Sequence, residues 1–312
     1  MSAAREHRLG VVCVIGASVL WGTTGTASAL APGVTPLAVG AASMGFGGLL
    51  LAATAARQMG RHRATLARSW RLVGTGGAAV LVYALAFYTS MRLAGVAIGT
   101  AVSIGGAPVA AALLERLVDG RRLSRRWAVG AALGIAGAVV LCLARGGAEP
   151  GQVTQTLAGV ALGALAAASY ALYSFTSHRL IGAGAASRAA VGATFGAAAL
   201  GLLVVLGFTG RAFLDSGQNL AVGAYLAVVP MFAGYILFGW GLSRVPASTA
   251  TTVSLAEPVV AAALAVLVVG ERLPLAGWAG MGLIVACLAV LTVPLPARSR
   301  RRARPEPLRV EG

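Results

Sequence analysis

One acidic residue stands inside a long apolar run near the end of the chain. Glu257 lies in the stretch SLAEPVV, residues 254–260, and Pro258 follows it directly. A charged side chain at membrane depth costs about 2.5–3.5 kcal/mol on insertion scales, so we expect Glu257 to face a cavity or a partner. Two interpretations stay open: the carboxyl binds a substrate or a proton, or it only hydrogen-bonds a neighbouring helix beside the proline.

Hydroxyl-bearing and aromatic side chains occur at helical spacing in other apolar segments. Residues three, four or seven positions apart share one face of a helix, so their side chains form a stripe. Together with one carboxylate they would line an amphipathic pocket for a small organic molecule; the alternative is ordinary helix–helix packing. The candidates besides Glu257 are Ser254, Trp21, Thr24, Tyr83, Phe87, Tyr170, Tyr173, Ser174 and Tyr235.

Two prolines are candidate helix breaks. Pro108 and Pro258 each lie inside an apolar run, where a proline removes one backbone N–H donor. At membrane depth such a break is tolerated where it lines a cavity or where neighbouring groups satisfy the freed carbonyl. The two prolines therefore mark either bends in moving helices or static kinks.

These residues need long membrane-spanning elements to hold them. Of the 312 residues, 58% are hydrophobic and 11% are charged, whereas a soluble domain carries about 25% charged residues. A transmembrane helix needs about 20 mostly apolar residues. We predict an all-α polytopic membrane protein with ten transmembrane helices, at 10–31, 36–56, 72–93, 96–118, 127–144, 157–178, 189–209, 220–242, 246–269 and 275–295.

All 25 basic residues are arginine, and their distribution orients the chain. With the N-terminus in the cytoplasm, 21 of them fall in the cytoplasmic arm, loops and tail, leaving only Arg92, Arg145, Arg211 and Arg272 on the other side. The positive-inside rule therefore predicts an integral protein of the cytoplasmic membrane with both termini in the cytoplasm. The net charge of +16 is spread over many loops, so we expect no nucleic-acid partner.

The residue types weigh against catalysis and against a bound cofactor. Without lysine, the chain has neither a P-loop lysine nor a Schiff-base amine. Asp119 and Asp215 fall in predicted loops, so the sequence offers no pair of membrane aspartates for an intramembrane protease. The spacing of the three cysteines fits no metal motif. We therefore expect no enzyme, no cofactor and no metal site.

The chain repeats itself at an offset of 150 residues. Residues 97–143 and 247–293 are identical at 16 of 47 positions, and Trp21 aligns with Tyr170. Each copy holds five helices, an odd number, so the two copies must cross the membrane in opposite directions. Such inverted repeats are typical of secondary transporters, which bind substrate between the halves. We expect an arm at 1–9, repeats at 10–146 and 157–295, and a disordered basic tail at 296–312.

The N-terminus allows a second interpretation. Arg5 and Arg8, an apolar stretch and the tripeptide ASA at 27–29 together look like a signal peptide with its cleavage site. Because the repeat requires the first helix, we favour a retained transmembrane helix.

Glycines four residues apart predict close helix packing. The pairs Gly159/Gly163 and Gly192/Gly196 follow the small-xxx-small pattern, which lets the backbones of two helices approach each other. We expect these contacts within the chain, and the oligomeric state stays open.

Together these features resemble the drug/metabolite transporter superfamily, in its ten-helix branch built from two EamA-type repeats. The resemblance rests on ASVLWGTTG (17–25) and GAPVAAALLERLVDGRRL (106–123) in the first copy, and on ASYALYSF (168–175) and LAEPVVAAALAVLVVGERL (255–273) in the second. It implies a secondary transporter, an exporter or exchanger of a small organic metabolite such as an amino acid or a drug-like molecule. Such a transporter works by alternating access and is driven by an ion gradient, for example of protons, or by a substrate gradient. A non-transporting sensor or scaffold is the alternative, and a membrane-embedded enzyme is a third. The first copy has Ala107 where the second has Glu257, so an acidic site would be asymmetric.

Overall fold

Long helices make up nearly all of the described chain. The computed structural model describes residues 3–120, 125–145, 150–242, 244, 253 and 256–292, and within these ranges it contains no strand. The predicted tail at 296–312 and Ser254 lie outside the described residues. The helices are α1 Ala3–Ala29, α2 Pro36–Arg61, α3 Arg63–Arg68, α4 Trp70–Ala94, α5 Val96–Asp119, α6 Arg125–Arg145, α7 Pro150–Gly182, α8 Ser187–Thr209, α9 Gly217–Leu226, α10 Gly234–Leu242, α11 Ala256–Leu264 and α12 Leu275–Thr292.

The helices confirm the predicted all-α membrane fold. Among the described residues, seven helices are long and apolar enough to cross a membrane, and two shorter apolar helices cover Ala256–Val269 and Leu275–Cys287. Two helices extend furthest beyond their predicted starts, since α1 already includes Ala3, where the prediction starts at residue 10, and α7 includes Pro150, where it starts at 157. Hydropathy locates the apolar core of a helix, but the i→i−4 hydrogen bonds continue into the polar flanks.

The helix of the eighth predicted span widens in its middle. Between α9 and α10 the chain forms a π-helix at Ala227–Ala233, with Pro230 inside it. Pro230 has no N–H to donate to the carbonyl of Leu226. The hydroxyl of Ser43 on α2 donates to that carbonyl at 3.2 Å, and the hydroxyl of Tyr88 donates to Ser43 at 3.0 Å. A buried polar chain from two other helices therefore supports the irregular backbone, as membrane depth requires.

The packing of the helices has the symmetry of a two-fold repeat. The first repeat consists of α1, α2, α4, α5 and α6, and the second of α7, α8, the α9–α10 helix, α11 and α12. Equivalent helices pair directly, since α2 packs against α8 and α6 against α12. The other contacts come in equivalent pairs: α4 with α7 and α10 with α1, then α5 with α7 and α11 with α1. Exchanging the two repeats maps these contacts onto themselves, which confirms two inverted five-helix repeats.

Contacts between helix ends and connecting segments show which helix ends lie on the same face of the protein. On one face, Asp119 pairs with Arg179, and Glu6 pairs with Arg244 at 2.9 Å. This arginine-rich face carries the ends of α2, α5, α7 and α10 and the start of α1. On the opposite face, the Asn219 side chain donates to the carbonyl of Pro32 at 3.2 Å. Each contact joins segments that ten alternating crossings place on the same side.

The glycine pairs lie at close contacts between helices, as predicted. A methyl group at Gly159 would come within 2.6 Å of the Ala94 nitrogen, and one at Gly192 would come within 2.6 Å of the Ala55 methyl. The hydroxyl of Ser90 donates to the Gly159 carbonyl at 2.7 Å in the same α4–α7 contact. These glycines bring α7 onto α4 and α8 onto α2, within the chain.

Candidate substrate-binding site

A continuous chain of aromatic rings crosses the interface between the two repeats. Each ring lies 4.9–5.6 Å, centroid to centroid, from the next, which is the usual range for attractive ring pairs. α1 and α4 supply four rings, and α7, α8 and α10 supply five. In spatial order the rings are Phe238, Trp21, Tyr235, Phe195, Tyr173, Tyr170, Tyr83, Phe87 and Tyr88.

The tyrosine hydroxyls give this apolar chain a polar edge. The hydroxyls of Tyr173 and Tyr235 lie 3.3 Å apart, and the ring of Tyr170 lies 4.9 Å from that of Tyr173. Tyr83 and Tyr173 are buried. Rings with hydroxyl groups at one edge are the lining expected of a site that holds a small amphipathic molecule and fixes its orientation.

Glu257 lies beside this polar edge. It is the second residue of α11 and is 8% exposed. Its carboxyl interacts electrostatically with the phenols of Tyr83, Tyr170 and Tyr235. Within the described ranges, no hydrogen bond or ion pair reaches this carboxyl. The one acidic residue at this depth therefore lies in the neighbourhood of three rings of the chain, and no arginine in the described ranges pairs with it.

The position of Glu257 depends on a close approach between α1 and α11. A methyl group at Gly22 would lie 2.7 Å from a methyl carbon of Val260 and 3.1 Å from the carbonyl oxygen of Glu257. Only glycine fits this distance without a shift of one helix. Trp21 immediately precedes Gly22 on α1. The contact at Gly22 therefore fixes the position of the Trp21 ring relative to Glu257.

Trp21 brings an unsatisfied hydrogen-bond donor to the site. Its indole N–H is buried and has no hydrogen-bond partner among the described residues. A methyl group at Gly234 would come within 2.6 Å of this nitrogen, so the glycine makes room for the indole. A buried donor without a partner is costly, and it is the kind of group that a bound polar molecule would satisfy.

The structure brings most of the candidate residues together. Trp21, Tyr83, Phe87, Tyr170, Tyr173 and Tyr235 all belong to the ring chain, and Ser174 adjoins Tyr173. Thr24 is half-buried on α1, and its hydroxyl has no hydrogen-bond partner among the described residues. The candidate Ser254 lies outside the described residues.

The two candidate helix breaks both lie on helices. Helix α5 continues from Val96 to Asp119 through Pro108. Pro258 lies on α11, as the third residue of its described part. The proline within an irregular helical segment is Pro230, which the sequence reasoning did not single out.

Three rings of the chain were also missed from sequence. Phe195, Phe238 and Tyr88 complete the path between the predicted residues. Phe195 lies on α8 and joins Tyr173 to Tyr235. A lone phenylalanine in an apolar run carries no polar neighbour to distinguish it from packing. The repeat did offer one signal, since the offset of 150 residues aligns Tyr88 with Phe238.

Fold and site together define an integral membrane protein of the transporter class, with a candidate binding site between inverted repeats. The family model of the EamA-like transporter family matches residues 8–143 and 157–293. The chain therefore belongs to the EamA-like transporter family and is a membrane transporter.

Similar proteins extend over most of the chain. An uncharacterized transporter of Bacillus subtilis, YwfM, is 34% identical over 282 residues, which cover 89% of this chain and 92% of YwfM. An uncharacterized protein of Pseudomonas aeruginosa is 34% identical over 238 residues, covering 73% of this chain and 76% of that protein. One solved crystal structure shares the fold with a TM-score of 0.61 at 23% identity, over 91% of this chain and 96% of that one.

Proposed function

We propose that this transporter is a secondary exporter of a small organic metabolite. It binds the metabolite at the ring chain and Glu257, between the two repeats. It works by alternating access, in which the two repeats move against each other so that the site opens to one side of the membrane at a time. Glu257 takes up and releases a proton during this cycle.

One observation carries the proposal, which is the meeting of Glu257 with the ring chain at the repeat interface. Its carboxyl interacts with three phenols that come from both repeats, on α4, α7 and α10. A buried carboxyl without an arginine beside it is costly as an anion, so a proton or a ligand that arrives there changes its charge. That property suits a group that couples substrate movement to a proton gradient.

The proposed direction of transport and the proposed orientation of the chain in the membrane are both inferred from the sequence. Export is what the resemblance to exporters of this superfamily implies. The cytoplasmic membrane, with both termini in the cytoplasm, follows from the 21 arginines on one side. The contacts of the arginine-rich face support this assignment, since they join the N-terminal helix and the loops after α5, α7 and α10.

A metabolite-resolved flux screen on the purified chain in liposomes tests the proposal. Flux is measured with and without a pH gradient for the wild type, for Glu257→Gln and for Glu115→Gln. Glu115 lies near the end of α5 on the arginine-rich face, so its substitution controls for the loss of any one carboxylate. We expect Glu257→Gln to abolish the dependence of flux on the pH gradient and Glu115→Gln to preserve it.

Two results would contradict the proposal. If the Glu257→Gln protein still moves solute at the wild-type rate and is still driven by the pH gradient, Glu257 has no coupling role. If the wild-type chain moves no solute from a broad metabolite mixture in either direction, the sensor or scaffold interpretation replaces transport.

A further inference from the structure

A group of exposed arginines forms a ridge at the membrane boundary of the first repeat. We name it the arginine ledge, and it consists of Arg57, Arg61, Arg63, Arg68 and Arg71. All five side chains are exposed. They lie at the end of α2, on the short helix α3 and at the start of α4, immediately beyond two membrane-spanning helices.

The ledge has no negative charge of its own. The sequence contains no Asp or Glu between Glu6 and Glu115. The two ion pairs described above do not involve a ledge residue, since Asp119 pairs with Arg179, and Glu6 with Arg244. Most surface arginines can find a carboxylate nearby, so five uncompensated charges in 15 residues make a site for an external anion.

The ledge is fixed in place by packing. Leu66 on α3 and Leu72 and Val73 on α4 pack against a small buried cluster at the α7–α8 turn, formed by Leu180, Ala185 and Ala190. The apolar side of α3 therefore faces the second repeat, and its arginines face outward. Because α3 is packed against the protein, it presents its charges at fixed positions, whereas a flexible loop would not.

An aromatic side chain marks the level of the lipid headgroups. Trp70 is 66% exposed, and the Arg71 guanidinium lies 5.6 Å from the centre of its ring. Exposed tryptophan is enriched at the membrane–water boundary, where its amphipathic ring sits among headgroups. At this level, the Arg71 guanidinium can contact lipid headgroups while the Trp70 ring contacts the upper part of the acyl chains.

We propose that the arginine ledge binds anionic phospholipid of the adjacent leaflet through the phosphate groups of the lipid. Clusters of four to eight basic residues directly beyond a transmembrane helix are typical of such sites, and guanidinium groups bind phosphate in a bidentate manner. Because the ledge is packed on the α7–α8 turn, a lipid bound there also lies at a contact between the two repeats.

Brominated lipids test the proposal with Trp70 as the reporter. Nanodiscs of phosphatidylcholine with a minority of phosphatidylglycerol are made in two forms, which differ only in the lipid that carries bromine. The Trp70 signal is the difference in fluorescence between the wild type and Trp70→Phe, since the chain has 5 tryptophans. We expect bromine on phosphatidylglycerol to quench Trp70 more per lipid than bromine on phosphatidylcholine.

Two matched triple variants test whether the preference for phosphatidylglycerol depends on the arginine ledge. Arg61→Gln/Arg63→Gln/Arg68→Gln removes three ledge charges and keeps Arg71 beside the reporter. The control Arg92→Gln/Arg211→Gln/Arg272→Gln removes three exposed charges elsewhere. Each ledge arginine contributes about a fivefold preference for an anionic surface, so the ledge variant should lose most of the preference and the control should keep it. Replacing Arg61, Arg63 and Arg68 by lysine should preserve it, which separates charge from folding.

Three outcomes would overturn the proposal. Equal quenching by the two brominated lipids in the wild type would show no anionic preference. An equal loss in both triple variants would show a general effect of net charge. Retention of the full preference in the ledge variant would show that the anionic lipid binds elsewhere on the protein.

Discussion

The carboxylate of Glu271, in the turn before α12, accepts a hydrogen bond from the backbone N–H of Val96 at 2.6 Å, at the first residue of α5. Its second oxygen accepts from the N–H of Ala97 at 3.3 Å. A residue of the second repeat thus caps a helix of the first, on the face opposite the arginine-rich one. The first free N–H groups of a helix favour a negative charge. In the first copy, the aligned position holds Arg121, which cannot accept such bonds.

Loss of this cap should weaken the link between the repeats. We expect Glu271→Ala to lower the free energy of unfolding by about 1–3 kcal/mol, since a charged hydrogen-bond acceptor at two N–H groups is lost. The measurement is the thermal unfolding midpoint of the purified protein in nanodiscs. Arg272→Gln, at an exposed neighbouring side chain, is the matched control and should leave the midpoint unchanged. Equal midpoints for Glu271→Ala and the wild type would contradict a stabilising role.

The indole of Trp21 should not tolerate a methyl group on the facing helix. In Gly234→Ala the new methyl would lie 2.6 Å from the indole nitrogen, whereas at Gly239, also on α10, a methyl meets nothing within 4 Å. We therefore expect Gly234→Ala to reduce transport roughly tenfold or more by moving the ring, because overpacking costs about 1–3 kcal/mol. Gly239→Ala should transport like the wild type. Transport rates and tryptophan fluorescence of both variants check this, and equal rates would mean that the indole position does not matter.

The buried chain from Tyr88 through Ser43 to Leu226 should be coupled to Pro230. Ser43→Ala removes the donor to the Leu226 carbonyl and the acceptor for Tyr88, so we expect a loss of about 1–3 kcal/mol in unfolding free energy. Pro230→Ala restores a backbone N–H near that carbonyl. A double-mutant cycle with Ser43→Ala and Pro230→Ala measures the coupling. The loss should be smaller in the Pro230→Ala background, and strictly additive effects would show that the hydroxyl does not serve the proline site.

Sequence patterns predicted the arrangement of helices because the membrane constrains that arrangement strongly. Apolar length and the odd number of helices per copy were enough for the spans and their inverted arrangement, which the structure confirms. Helical spacing also placed Tyr83 and Phe87 on one face, and the structure stacks their rings at 5.4 Å. These are local or periodic properties, and each is determined by the chain near the residue itself.

Contacts between distant segments could not be foreseen in the same way. Glu271 lies in a turn where a solvated charge is the ordinary expectation, and its partner Val96 is 175 residues away in the chain. Phe195 links two predicted tyrosines only because its ring on α8 reaches Tyr173 on α7 and Tyr235 on α10. Pro230 was not distinguished from an ordinary proline in an apolar run, because the support from Ser43 comes from another helix.

The tyrosines around Glu257 should contribute to transport through their hydroxyl groups. Tyr83→Phe, Tyr170→Phe and Tyr235→Phe keep each ring and remove the phenol that interacts with the carboxyl. A polar interaction worth about 1 kcal/mol corresponds to a factor of about five in rate, so we expect each variant to lower the transport rate about fivefold at limiting substrate while the unfolding midpoint changes little. Tyr225→Phe is the matched control, because its hydroxyl bonds to Thr23 at 2.8 Å and Tyr225 is not one of the linked rings. In the Glu257→Gln background the three substitutions should cost less, since the charged partner is already gone. Full additivity with Glu257→Gln, or an equal loss in Tyr225→Phe, would show that the phenols act through packing and not through the carboxyl.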